Sequence, residues 1–101
     1  MSLFDPDVEY TITSVKNDKY ILDVSQGASN RGALIIYHKN QQKNQRFRIV
    51  YNHGWYSIIN CLNNEYLSIN NNSDKSGSKV YASKNEGLQG QAWQFESCPE
   101  L

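Results

Sequence analysis

The chain has no excess of charge of either sign, no long apolar run, no Cys-x-x-Cys pairing and no sustained helical period, and each absence excludes something. Ten Lys and Arg stand against ten Asp and Glu, so the clustered positive charge that phosphate binding requires is missing. Lys39, Lys43, Arg46 and Arg48 are interleaved with Asn and Gln, and a solvated face is expected of them. No segment has the length of a spanning helix. Neither a nucleic-acid partner nor membrane insertion is therefore expected. The opening Met1-Ser-Leu-Phe-Asp5-Pro-Asp7 carries acids where a signal peptide has its apolar stretch, so the chain reads as cytosolic, or as a mature or excised domain, with its compartment open.

Cysteine and histidine are scarce as well. Cys61 falls within a strand-like segment and is expected to act as a small buried hydrophobe, while Cys98 lies in the tail. With no nearby His, a zinc site is not expected, and whether the two cysteines pair stays open. Cys98-Pro-Glu-Leu101 has the length of a prenylation box, but Pro and Glu at its aliphatic positions exclude that reading. His38 and His53 are the only side chains with an ordinary pKa near neutrality, and neither belongs to a recognised nucleophile constellation. No enzyme activity and no cofactor are expected. Asn71-Asn72-Ser73 matches a glycosylation acceptor by pattern alone.

What the chain does have is a repeat. Tyr10-Thr-Ile-Thr-Ser-Val15 followed by Asn17-Asp-Lys-Tyr20 returns as Tyr56-Ser-Ile-Ile-Asn-Cys61 followed by Asn63-Asn-Glu-Tyr66, an offset of 46 residues. The ends match too, since Asn44-Gln45-Arg-Phe47 returns at the same offset as Gly90-Gln91-Ala-Trp93. At 101 residues and 39% hydrophobic content the chain is one domain, 1–101, made of a first unit over about 8–51 and a second over about 54–97. Units of this size cannot each bury a core alone and must pack against each other or against copies from another chain.

The local pattern predicts short strands over Tyr10–Val15, Tyr20–Val24, Ala33–Tyr37, Phe47–Tyr51, Trp55–Asn60 and Lys79–Ala82, rich in β-branched and aromatic residues. Turns are expected at Lys16–Lys19, Asn52–Gly54 and Leu62–Glu65, with a longer polar connection over Ser25–Gly32. Lys84–Gln91, with two glycines, makes at most a single helical turn. The expectation is an all-β domain of about four short strands per unit.

The paired Gln45-Arg-Phe47 and Gln91-Ala-Trp93 closures, in register with Leu22-Asp-Val24 and the Asn44-Gln45 pair, resemble the ricin-type lectin family with its β-trefoil fold, over roughly residues 8–97. The resemblance implies a non-catalytic carbohydrate-binding module, with galactose or N-acetylgalactosamine favoured and glycans or glycoconjugates as partners. It implies that Phe47 and Trp93 fill the core, that Gln45 and Gln91 tie loop backbone, and that the carbohydrate-binding residues are Asp23, Tyr37 and Asn44 of a first-unit sugar pocket, with Gln45 beside them. Those residue types suit a sugar. A carboxylate accepts from adjacent hydroxyls, an aromatic face packs on ring C–H groups, and an amide both donates and accepts. Ile35 occupies a position where a polar residue often assists. In the second unit Ser68, Ser83 and Gly90 replace the trio, so that unit is expected to be mainly scaffold, with Tyr81 and Asn85 as the residues able to line an unusual site there and packing an equal reading of Tyr81. Asp23→Ala is expected to abolish sugar binding while the fold survives. A trefoil closes with three units and two are visible, so self-association into a homo-oligomer, or membership of a larger trefoil, is expected to complete the barrel. A protein-interaction or inhibitor module on the same scaffold is the alternative.

Overall fold

Residues 3–97 are described by the computed structural model, and among them strands form where β-branched and aromatic residues cluster and end at Asn, Asp and Gly turns. Strands β1 (Tyr20–Val24) and β2 (Leu34–His38) pair antiparallel, with Tyr20 opposite His38 and Val24 opposite Leu34. Strands β3 (Phe47–Asn52), β4 (Trp55–Asn60), β5 (Glu65–Ile69) and β6 (Val80–Ser83) make a four-stranded antiparallel sheet in chain order. No α-helix occurs among the described residues. Single 3-10 turns lie at Lys43–Gln45, Asn70–Asn72 and Gln89–Gln91. The β3–β4 hairpin, which joins the two units, closes through His53 and Gly54 with φ of 53° and 92°. Left-handed backbone at both positions matches the twist of the flanking strands.

The 46-residue period reappears in the pairing. Tyr10 bridges Phe47, and Tyr56 bridges Trp93, so each unit's first strand is fastened to its closing aromatic. The expected strand Tyr10–Val15 is corrected: it contributes only two isolated bridges, Tyr10 to Phe47 and Thr13 to Ile21. Its counterpart β4 is zipped along its whole length to β3 of the preceding unit. Among the described residues no strand pairs along the outer edge of Tyr10–Val15, and Val15 is 86% exposed. Trp93, at the far flank, is likewise held by a single bridge. Strand β5, which the residue pattern does not single out, is the repeat partner of β1.

The core lies between the units. Val24 of β1, Phe47 of β3 and Leu67 of β5 are buried together, and Leu22, Ile58 and Trp93 pack against them. Phe47 is fully buried, as expected of a closing aromatic. Trp93 is half-buried and its indole N–H donates to the Leu67 carbonyl at 3.1 Å, which satisfies the one polar atom such a ring brings inside. The two hairpins also meet directly. Ala33 bridges Tyr81, and the Ala82 N–H donates to the Gly32 carbonyl at 2.8 Å. With φ of 87°, Gly32 takes a conformation that a side chain would oppose. A second cluster, unforeseen in the sequence, gathers the N-terminal segment onto the start of each unit. Phe4 packs on Tyr10, Tyr56 and Phe95 with centroids 5.4, 6.0 and 4.9 Å away, and the Leu3 and Asp5 N–H groups donate to the hydroxyls of Tyr56 and Tyr10.

Candidate functional site

The first-unit site is organised around Gln45, which sits in the 3-10 turn Lys43–Gln45 and is fully buried. Its Nε2 donates to Asp23 Oδ2 at 2.9 Å and to the His38 carbonyl at 2.7 Å, and its Oε1 accepts the Asn40 N–H at 2.9 Å. Every hydrogen of the amide is thereby committed, and the loop that leaves β2 is tied to β1 and to the turn before β3. Gln45, fully buried, presents its amide to these protein groups. It sets where Asp23 and the loop stand.

Asp23, Tyr37 and Asn44, from β1, β2 and the 3-10 turn, line one cleft of about 380 Å³ together with Ser25, Asn30, Ile35 and Asn40. Asp23 is 3% exposed. Its Oδ1 accepts from Asn44 Nδ2 at 3.2 Å and its Oδ2 from Gln45, leaving further lone pairs for incoming hydroxyls. Asn44 is also buried and gives its second N–H to the Val24 carbonyl at 3.2 Å, so Oδ1 is the atom of its amide left to accept. Tyr37, by contrast, is 53% exposed and stands edge-on to His38. The cleft thus has a sunken carboxylate floor and a projecting aromatic rim. Residues of the Ser25–Gly32 connection were missed by pattern reading. Their polar Ser and Asn content was the available signal, but only the fold brings Ser25 and Asn30 to the cleft that Asp23 lines. Asp23→Ala would leave Gln45 Nε2 and Asn44 Nδ2 without this acceptor, so a polar replacement suits the position better.

The second unit reproduces the lock without the carboxylate. Gln91 Nε2 donates to Ser68 Oγ at 2.9 Å and to the Lys84 carbonyl at 2.7 Å, while its Oε1 accepts the Glu86 N–H at 2.9 Å. Ser68 therefore holds the place of Asp23, as the repeat alignment expects, and Ser68 Oγ also bonds Ser83 Oγ at 2.7 Å. A serine is thus already seen to satisfy this Gln.

Outside the cleft, the basic stretch is only partly a free solvated face. Lys43 and Arg46 clasp the Glu9 carboxylate at 2.7 and 3.2 Å. The bond from Lys43, then that from Arg46, holds the Glu9 carboxyl below its ordinary pKa. Cys61 is corrected: it stands just after β4 and is half-buried instead of buried within a strand, and burial pushes its thiol pKa up. Cys98 lies outside the described residues, and so does the expectation about its pairing. Among the described residues no helix is long and apolar enough to cross a membrane.

Comparison with known proteins bears on the fold. The sequence profile described as ricin-type beta-trefoil lectin domain-like matches residues 4–83. Among solved structures, the chain superposes on a designed threefold-symmetric protein, ThreeFoil, with a TM-score of 0.73 and 24% identity, covering 84% of this chain and 61% of that one. It superposes on the Macrolepiota procera ricin B-like lectin in complex with lactose with a TM-score of 0.69 and 20% identity, covering 83% and 58%. A mosquitocidal holotoxin gives a TM-score of 0.76 at 18% identity, covering 84% of this chain and 11% of that one. The chain thus spans about three-fifths of the length of the designed trefoil. No curated protein sequence matches it.

Proposed function

Because the chain belongs to the ricin-type β-trefoil lectin domain-like family, we propose that it is a non-catalytic carbohydrate-binding module that grips a terminal sugar in the first-unit cleft. The observation that carries the reading is the convergence of Asp23, Tyr37 and Asn44 on one cleft, with Asp23 fixed from behind by Gln45. In this reading the remaining lone pairs of Asp23 accept from adjacent sugar hydroxyls, Asn44 Oδ1 accepts from another, and the exposed ring of Tyr37 packs on the C–H face of the pyranose. Gln45 positions the carboxylate without touching the sugar. Galactose or N-acetylgalactosamine is the favoured ligand. The lactose complex of the M. procera lectin, whose ligand carries a galactose, lends that choice support.

The test is a glycan array run with Asp23→Ser and Tyr37→Ser beside the wild type. Both changes copy what the second unit carries at these positions, so the fold has a precedent for them. Binding to galactose-terminated glycans that both variants lose is the expected result. A folded wild type that binds no glycan, or an Asp23→Ser variant that binds as well as wild type, would sink the reading.

The two open flanks, at Tyr10–Val15 and at Trp93, carry a second part of the proposal. Each is fastened by only one or two bridges among the described residues, and edges of this kind invite a partner strand. We read them as the seam where units from a second copy complete the barrel, which would also multiply the clefts and add avidity to a weak single-sugar contact. Sedimentation equilibrium of the purified chain should show a mass above 11.6 kDa. A monomer at every concentration would rule this out.

A further inference from the structure

The second unit, stripped of the family's sugar-contacting positions, nevertheless encloses a cleft of about 330 Å³ at the place equivalent to the first. That size falls in the lower part of the range of small-molecule sites, about 300–1,000 Å³. Ser68, Ser83 and Gly90 line it where Asp23, Tyr37 and Asn44 line its counterpart. Three other side chains bring back the missing chemical types from different positions.

The aromatic is Tyr81. It lies two residues before Ser83 on β6, so strand alternation puts both on one face, and its counterpart Ile35 also lines the first cleft. The amide is Asn72, delivered by the 3-10 turn Asn70–Asn72, where Asn71 and Asn72 hold φ of 57° and 50°. Asn72 Oδ1 accepts the Gly90 N–H at 2.8 Å. A Cβ on residue 90 would lie 2.6 Å from that oxygen, so the glycine that removes Asn44's counterpart is the residue that lets Asn72 in. Its Nδ2 donates to no described residue. The carboxylate is Glu86, in the loop that Gln91 anchors through the Glu86 N–H. It forms no ion pair among the described residues. The floor beneath, Ser68 and Ser83, is neutral and internally bonded.

We propose that the second unit is a binding site in its own right for a single neutral sugar residue bearing adjacent hydroxyls, held by Tyr81 as platform, Asn72 Nδ2 as donor and the Glu86 carboxylate as acceptor. The carboxylate stands on the loop instead of on the floor, so the two clefts differ in which sugar they prefer. An anionic sugar is disfavoured by Glu86. This site does not depend on the first-unit reading.

The experiment is an amide chemical-shift titration of the full chain with methyl β-galactoside, N-acetylglucosamine and methyl α-mannoside, and with glucuronate as the anionic control. Each is taken to about 100 mM, enough to fill a millimolar site. At least one neutral sugar should move the amides of residues 70–72 and 81–86, and glucuronate should not. Glu86→Gln keeps the backbone bond to Gln91, and Asn72→Asp keeps the acceptor for Gly90. Each should weaken that response about fivefold or more, whereas Asp23→Ser should leave it unchanged. The proposal is overturned if no neutral sugar moves these amides, if Glu86→Gln and Asn72→Asp respond like wild type, if glucuronate moves them equally, or if Asp23→Ser abolishes the response. Movement here without movement around Tyr37 would support this site and refute the first.

Discussion

Gln45 donates to Asp23 across 2.9 Å inside the protein, with Gln45 fully buried and Asp23 3% exposed. Two buried polar groups from different strands thus satisfy one another, and the cleft is built on their bond. Its counterpart, Gln91 to Ser68, has the same length and a neutral acceptor. The pair separates what the lock does for the fold from what the carboxylate does for the cleft.

Gln45→Ala should therefore cost more than Gln91→Ala. The first leaves a buried carboxylate short of a donor as well as two backbone groups, for a loss of about 3 kcal/mol, and the second leaves a hydroxyl in place of the carboxylate, for about 2 kcal/mol. Urea denaturation of both variants measures the difference. Equal losses would mean that the acceptor's charge contributes nothing.

Gly90→Ala should displace Asn72. The new methyl would meet Asn72 Oδ1 at 2.6 Å, so the side chain must turn away and its bond to the Gly90 N–H is lost, at a cost of about 1 kcal/mol. The Asn72 side-chain amide resonances should shift, and the response of residues 70–72 to sugars should fall. An unmoved Asn72 would contradict the close contact.

Phe4→Ala should destabilise the chain although Phe4 belongs to neither repeat. Its ring contacts Tyr10, Tyr56 and Phe95 edge-on or tilted, and truncation should cost about 2 kcal/mol. A thermal midpoint equal to wild type would show the cluster to be dispensable.

The clasp on Glu9 gives a pH dependence of fixed sign. The Glu9 carboxyl is held below its ordinary value of 4.5 by Lys43 and then Arg46. Its contribution is present above that value and is lost as the pH falls through the lowered folded one. The site is exposed, so the effect is small and salt-screened. Thermal midpoints of wild type and Glu9→Gln should differ slightly near neutrality and converge in acid. A gap that widens in acid would have the wrong sign.

The repeat itself explains how much was legible beforehand. The positions of Phe47, Trp93, Gln45 and Gln91 follow from an offset of 46 residues, and their roles follow from local chemistry: a large apolar ring must be buried, and a buried amide must use both ends. The shift of Asp23 to Ser68 was also readable, because one residue is missing after Tyr66. The weakness of Tyr10–Val15 as a strand was not. Its residues favour extension as strongly as those of β4, and what they lack is a neighbour, which no local pattern records.

The sequence by itself determined the all-β class, the two-unit organisation, the closing aromatics and the Gln locks, because each rests on periodicity or on the needs of one side chain. Tertiary structure alone decided that Asp23 and Asn44 are sunk beneath an exposed Tyr37, that Phe4 packs on Tyr10, Tyr56 and Phe95, and that Asn72 enters the space Gly90 leaves open. Those outcomes depend on which surfaces meet when the strands pack, and residues as far apart as Asn72 and Gly90 become neighbours only through the turn that the whole fold imposes.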